Sequence, residues 1–216
     1  MKIVRIVSML AVFSGVTLNA SGPQTLTGLL PYFTNQSNIA YAVFAAWTVF
    51  RTRAVPAAVK GAVTLYVTIT GLVYHLVLAN PASGFANAPY DRTPAEAVGN
   101  QLLHTVVPLL AVLDWLLFDE RGRFKVRYAA YWLAFPLGYL VFALIRGLIK
   151  NKYPYPFLDV NDLGYGGVAL SAVFFAVAFW LLGLAFVGID RLTARRKAAA
   201  TDEPATTGVE IVGERP

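Results

Sequence analysis

The chain has no cysteine, and so no disulfide framework, no thiol nucleophile and no thiolate metal site. It has two histidines, His75 and His104, neither with paired carboxylates nearby in sequence, which argues against a zinc centre. Charge is scarce: 14% of the 216 residues are Asp, Glu, Lys or Arg, against about a quarter in ordinary soluble domains. The net charge of +6 does not indicate a nucleic-acid binder, because the basic residues sit in short clusters between apolar blocks. No lysine lies inside an apolar block, which disfavours a retinal Schiff base, and no block carries the arginine ladder of a voltage sensor. There is no internal repeat to support an inverted-repeat transporter. No metal and no cofactor are called for.

What is abundant is apolar sequence, 57% of the chain, arranged in runs. Six blocks can be read: about Ile3–Ala20, Gln36–Phe50, Gly61–Leu78, Val98–Leu117, Tyr128–Leu148 and Val168–Ile189. Most reach the roughly 17–25 residues that cross a bilayer as helix. The fold predicted is an all-α membrane protein, a polytopic bundle of six transmembrane helices over residues 1–190, with a polar, disordered cytoplasmic tail over 191–216. The second block is short unless it begins within the polar stretch before it. The first block, with Lys2 and Arg5 ahead of Leu18-Asn19-Ala20, also fits a signal peptide, although Leu18 suits a cleavage site poorly.

With six spans, fourteen of the 18 basic residues share one side: Lys2, Arg5, Arg51, Arg53, Lys60, Arg121, Arg123, Lys125, Arg127, Arg191, Arg195, Arg196, Lys197 and Arg215. Only Arg92, Arg146, Lys150 and Lys152 fall on the other. The positive-inside rule then places both termini in the cytoplasm, in a bacterial-type plasma membrane. Ser21–Pro31 and Asn80–Glu96 read as outer turns. The segment Lys152–Asp159, with Tyr-Pro-Tyr-Pro at its centre, reads either as an interfacial aromatic belt or as a loop folded back over the outer mouth. Asp114, near Asp119 and Glu120, is expected at the cytoplasmic interface, solvated or paired with Arg121 or Arg123.

Polar groups within spans are the default functional candidates. Thr34, Asn38 and Tyr41 share one helical face, as do Thr64, Thr68, Gly71 and His75, and then Gln101, His104, Pro108, Ala111 and Trp115. By depth, Thr34, His75 and His104 all lie in the outer half, His104 roughly 9 Å into its span. Pro108 removes the N–H that would bond the His104 carbonyl, so a kink is expected there. The plainer readings are an N-cap for Thr34, a hydrogen-bonded packing residue for His75 and a tolerated kink at His104. Arg146 either meets a fatty carboxylate or snorkels to the interface.

Tyr32-Phe33-Thr34-Asn35-Gln36, together with His104-Thr105-Val106-Val107-Pro108, resembles the androgen-induced-gene and androgen-dependent TFPI-regulating-protein family, through its bacterial membrane relatives. Asp114-Trp115 and the Tyr-Pro-Tyr-Pro segment belong to the bacterial branch. The resemblance implies about six spans with both ends cytoplasmic, hydrolysis of fatty acid esters, a threonine nucleophile at Thr34 and a histidine partner at His104.

The chemistry implied is acyl transfer within the membrane. A threonine hydroxyl attacks only when a base removes its proton, and a histidine in low dielectric is neutral and able to accept it. The amides of Asn35, Gln36 and Ser37, at the start of a helix, are candidate oxyanion donors. Asn38, Gln101 or Asp159 are candidates to orient His104. The expected partner is a membrane lipid or fatty acid ester, with no nucleic acid involved. The rival reading is a non-catalytic membrane protein that binds or carries a lipid or small molecule between the polar stripes.

Overall fold

The protein is described here by a computed structural model, for residues 1–22, 25–50, 55–87 and 91–202; among these there are helices and no strand. Helix α1 covers Lys2–Asn19, α2 is a single turn at Leu26–Leu29, and α3 runs over Phe33–Phe50. Helix α4, Ala57–Val73, widens into π-helical turns at Tyr74–Leu78. Helix α5, Pro94–Gln101, passes through a second π segment, Leu102–Val106, into α6, Val107–Phe118. Helices α7, Val126–Tyr131, and α8, Ala134–Lys150, follow; then comes a 3₁₀ turn at Pro156–Leu158 and the long α9, Val160–Asp202.

Five helical segments are long and apolar enough to cross a membrane: Lys2–Asn19, Ala57–Leu78, Pro94–Phe118, Val126–Lys150 and Val160–Arg196. The second block of the sequence, Gln36–Phe50, is helical but is not among them. It lies in α3, whose 18 residues begin with Phe33 and so take in the uncharged polar run Thr34–Asn38. The exterior carries exposed Phe13, Leu109, Leu170 and Phe174, whereas Arg5, Asn38, Lys60 and Asp114 are buried. That inversion of the usual soluble arrangement suits a lipid solvent.

Two boundaries differ from expectation. Thr93 accepts from the Glu96 amide at 3.2 Å while Glu96 accepts from the Thr93 amide at 2.9 Å, and this capping box starts α5 at Pro94 rather than near Val98. At the other end α9 continues past residue 190 to Asp202, since the Ala, Arg and Lys of 194–200 are strong helix formers. The rest of the expected tail, 203–216, lies outside the described residues, as do Arg51 and Arg53. Near the start of α9, Gly164 at φ +64° breaks the helical path, a conformation open to glycine.

Helix α1 packs against α3, α5 and α6, and α4 packs against α3 and α6. Between them lies a core of Val12, Tyr41, Val67, Val107 and Ala111. A second, aromatic core joins α4 and α6 to α7, α8 and α9, with Trp115 stacked on Phe186 at 4.6 Å and on Phe124 at 5.5 Å. Helix α8 reaches α3 through rings, Phe33 to Phe135 at 5.1 Å and to Tyr139 at 5.2 Å. Cavity space remains along that seam.

At the end of the bundle holding the N-terminus, Asp114 is buried among cations. Arg5 Nε donates to its two oxygens at 3.2 and 3.0 Å, Lys60 Nζ donates to Oδ2, and Asp119 pairs with Arg5 at 3.3 Å and Lys60 at 3.4 Å. The expected pairing of Asp114 with Arg121 or Arg123 is therefore corrected. Arg121 donates to the carbonyls of Trp115 and Leu116, and Arg123 pairs with Glu120 at 3.2 Å. A carboxylate at 1% exposure needs several donors at once, and the cations of α1 and α4 reach it from both sides.

Candidate functional site

At the opposite end, Thr34 lies in the first turn of α3 rather than before it, and its side chain does not cap the helix. Its Oγ1 is 3.2 Å from His104 Nε2 and 3.4 Å from the Tyr155 hydroxyl. The N-cap reading is thus replaced, because this hydroxyl points away from its own helix start toward α5–α6 and the 151–159 loop. The helix amides find other partners. Thr34 N donates to the Tyr155 hydroxyl at 3.4 Å, and Asn35 N and Gln36 N donate to the Tyr32 carbonyl at 3.1 and 3.2 Å. The amides of Asn35 and Gln36, expected as oxyanion donors, are therefore occupied.

The arrangement around His104 fixes its proton. Nδ1 is 2.9 Å from the Asn100 carbonyl, which can only accept, so Nδ1 carries hydrogen and Nε2 presents its lone pair to Thr34 Oγ1. Tyr74 lies against the imidazole, ring centroids 4.3 Å apart, and its hydroxyl accepts from Asn100 Nδ2 at 2.7 Å. Asn100 thus holds both the histidine and the ring that packs on it. Both histidines lie in π segments, a local widening that recurs at functional sites. Before Pro108 the His104 carbonyl approaches α4 so closely that a Cβ on Gly71 would sit 2.9 Å from it, so only glycine fits there.

None of the groups proposed to orient His104 does so. Asn38 donates to the carbonyls of Thr34 at 2.8 Å and Leu103 at 3.3 Å, tying α3 to α5–α6. Gln101 is exposed and accepts from the Thr105 hydroxyl at 2.8 Å. Asp159 accepts from Asn161 N at 2.9 Å, at the start of α9. A backbone carbonyl in a wide helical turn fills the role, and side-chain patterns carry no sign of that.

The remaining candidates separate. His75 is exposed and contacts the Thr105 hydroxyl at 2.9 Å, so it is hydrogen-bonded but not packed inside, and it does not join Thr34. Arg146 donates to the Lys152 carbonyl at 2.7 Å and braces the loop after α8. Gln36 Nε2 donates to the Leu30 carbonyl at 3.1 Å. Asn35 Nδ2 donates to the Leu29 carbonyl at 3.0 Å, while its buried Oδ1 has no hydrogen-bond donor. Ser37, one turn after Thr34, is fully buried and engaged by the Phe33 carbonyl at 2.7 Å and the Thr70 hydroxyl at 2.9 Å. Geometry therefore distinguishes Thr34 from Ser37, a choice that in the sequence rested on the resemblance.

Tyr155 is the participant the residue patterns did not single out. The Tyr-Pro-Tyr-Pro segment folds inward, with Tyr155 against Phe157 at 5.2 Å, Tyr32 at 5.8 Å and Tyr139 at 6.2 Å. Burial pushes its phenol up to about 12, so the proton stays on oxygen at ordinary pH. With the Thr34 proton directed to His104, the Tyr155 hydroxyl donates to Thr34 Oγ1.

Two cavities meet at Thr34 and Tyr155. One, about 720 Å³ with its open mouth, is apolar and lies between α3, α4, α8 and α9, lined by Ile69, Val73, Leu140, Phe175 and Phe179. The other, about 1020 Å³ on the same measure, is lined by His104, Asn19, Asn35, Asn87, Arg92 and Glu96. No group of three or more His, Cys, Asp or Glu able to hold a metal ion occurs among the described residues. Comparison with known proteins finds no matching family model, no matching curated protein and no matching solved structure.

Proposed function

We propose that the protein is an intramembrane hydrolase of lipid esters, with Thr34 as nucleophile and His104 as general base. The observation that carries this reading is the 3.2 Å contact between Thr34 Oγ1 and His104 Nε2, with Nδ1 held by the Asn100 carbonyl. A nucleophile, a base in the correct tautomer and a group orienting the base form the triad logic of covalent catalysis. His104 takes the Thr34 proton as Oγ1 bonds to the ester carbonyl carbon, then returns it to the departing alcohol oxygen. Water cleaves the threonyl ester by the reverse use of the same base, releasing a fatty acid. Tyr155, protonated and within reach of Oγ1, is the donor to the oxyanion, in place of the helix amides.

This reading goes with a six-span bundle in which α3, about 27 Å long, crosses beside the five more apolar helices. It places both termini in the cytoplasm of a plasma membrane, with the Thr34 site toward the outer face. The likeness of the Thr34 and His104 segments to the androgen-induced-gene family supports the same assignment. The test is labelling of membranes with a fluorophosphonate probe, comparing wild type with Thr34→Ala and His104→Ala. Labelling of the wild type alone is expected. Equal labelling of all three, or none of any, overturns the hydrolase reading and favours a lipid-binding protein.

A further inference from the structure

Resting on that hydrolase reading, the geometry points to a substrate class: we infer that the protein cleaves esters of a long acyl chain with a polar alcohol, the acyl chain lying in the apolar cavity and the alcohol in the polar one. The argument begins with the proton. After Thr34 Oγ1 bonds to the carbonyl carbon, the C–O bond to the alcohol breaks, and its oxygen must take a proton from His104 Nε2. His104 lines the polar cavity and not the apolar one. The alcohol therefore leaves through the polar cavity, and the water that later gives its proton to His104 enters from there.

The acyl chain, attached to Thr34 Oγ1 in the intermediate, must occupy the other space that opens on Thr34. That space is walled by Ile69 and Val73 of α4, Leu140 of α8, and Phe175, Ala176 and Phe179 of α9. Each methylene transferred from water into such a lining gains about 0.8 kcal/mol. The polar cavity offers the reverse environment, with Asn19, Asn87, Arg92 and Glu96 around it. Asn35 lines it too, 5% exposed, with its amide nitrogen committed to the Leu29 carbonyl and its Oδ1 lacking a donor. An alcohol with further hydroxyl or N–H groups meets hydrogen-bonding side chains in that lining, whereas a second hydrocarbon chain displaces their water without replacing its hydrogen bonds.

The experiment uses the full chain purified in detergent. The substrates are p-nitrophenyl esters of four to sixteen carbons, 1-palmitoylglycerol, and the wax ester hexadecyl palmitate. Wild type is expected to gain kcat/KM as the acyl chain lengthens and to hydrolyse 1-palmitoylglycerol at least about tenfold faster than the wax ester. Ala176→Phe on α9 and Leu140→Trp on α8 are expected to shift the optimum to shorter chains. Both should still react with diisopropyl fluorophosphate, whose small groups do not enter the cavity; that reaction also reports a folded site. An unchanged chain-length profile in both reactive variants overturns the acyl assignment. A wild type that prefers the wax ester overturns the alcohol assignment. A wild type that neither reacts with diisopropyl fluorophosphate nor cleaves any ester removes the hydrolase reading itself, and this inference with it.

Discussion

The two ends of the bundle each bury a polar cluster, and they resolve its cost in opposite ways. At the end with the N-terminus, Arg5, Lys60, Asp114 and Asp119 neutralise one another through direct ion pairs. At the other end Thr34, His104, Tyr155 and Asn100 are uncharged groups linked in a chain, with cavities on two sides. A closed set of paired charges holds helices together and excludes ligands. A chain of neutral donors and acceptors with one face open can exchange a proton with a substrate. Buried polarity alone marks both ends, and the cavity beside it marks the candidate site.

Thr34→Ala and His104→Ala are expected to lower ester hydrolysis by at least about 10³-fold, since nucleophile and base act as a unit. Their thermal unfolding midpoints should stay near wild type, because neither removes a buried charge. Retained hydrolysis in Thr34→Ala, measured on the same esters, would show that the open chain of groups is structural like its counterpart.

Tyr155→Phe comes next. It keeps the ring packed against Phe157 and removes only the hydroxyl, so a loss of about 10²–10³-fold in kcat is expected from one oxyanion donor. The sign with pH follows from the phenol: its folded value, about 12, lies above the ordinary 10.0, so the proton is retained until pH rises through about 12. The deficit should therefore be constant below about pH 10, and a deficit that vanishes anywhere in that range would sink the donor role.

At the ion-paired end the expected effect moves from activity to stability. Asp114→Ala leaves Arg5 and Lys60 buried beside a lost partner, which costs about 3–5 kcal/mol. Unfolding in detergent should come at markedly lower temperature, while activity per folded molecule stays within about threefold. An unaltered midpoint would mean that the cluster does not hold the helices.

How much of this could be read from residues alone depends on the kind of interaction. The helical, membrane-like character was legible because apolar runs declare themselves by length, and Thr34 and His104 stood out as polar groups at matching depth. Azimuth was not legible: His75 lies at a similar depth but turns outward to Thr105. Asp114 is expected from sequence to be solvated or paired with its neighbours Arg121 or Arg123, whereas it is buried and its partners stand more than fifty residues away on α1 and α4. The orienting group for His104 is a backbone carbonyl, which every residue carries. Tyr155 was hidden in a segment equally suited to an interfacial belt. The capping box Thr93-Pro94-Ala95-Glu96, by contrast, is a legible signal for the start of α5.

The smallest expected effect sharpens the same contrast within one end of the molecule. His75 and His104 both sit in π segments, and Tyr74 contacts both rings, at 5.0 and 4.3 Å. His104 faces Thr34 and the polar cavity; His75 Nε2 meets the Thr105 hydroxyl, which donates onward to exposed Gln101. His75→Gln keeps a group able to reach Thr105, so hydrolysis should change by less than about twofold and stability by less than about 1 kcal/mol. If this substitution instead lowered kcat as far as His104→Ala, the base would have been assigned to the wrong histidine, and the 3.2 Å contact with Thr34 would be a packing feature rather than a proton path.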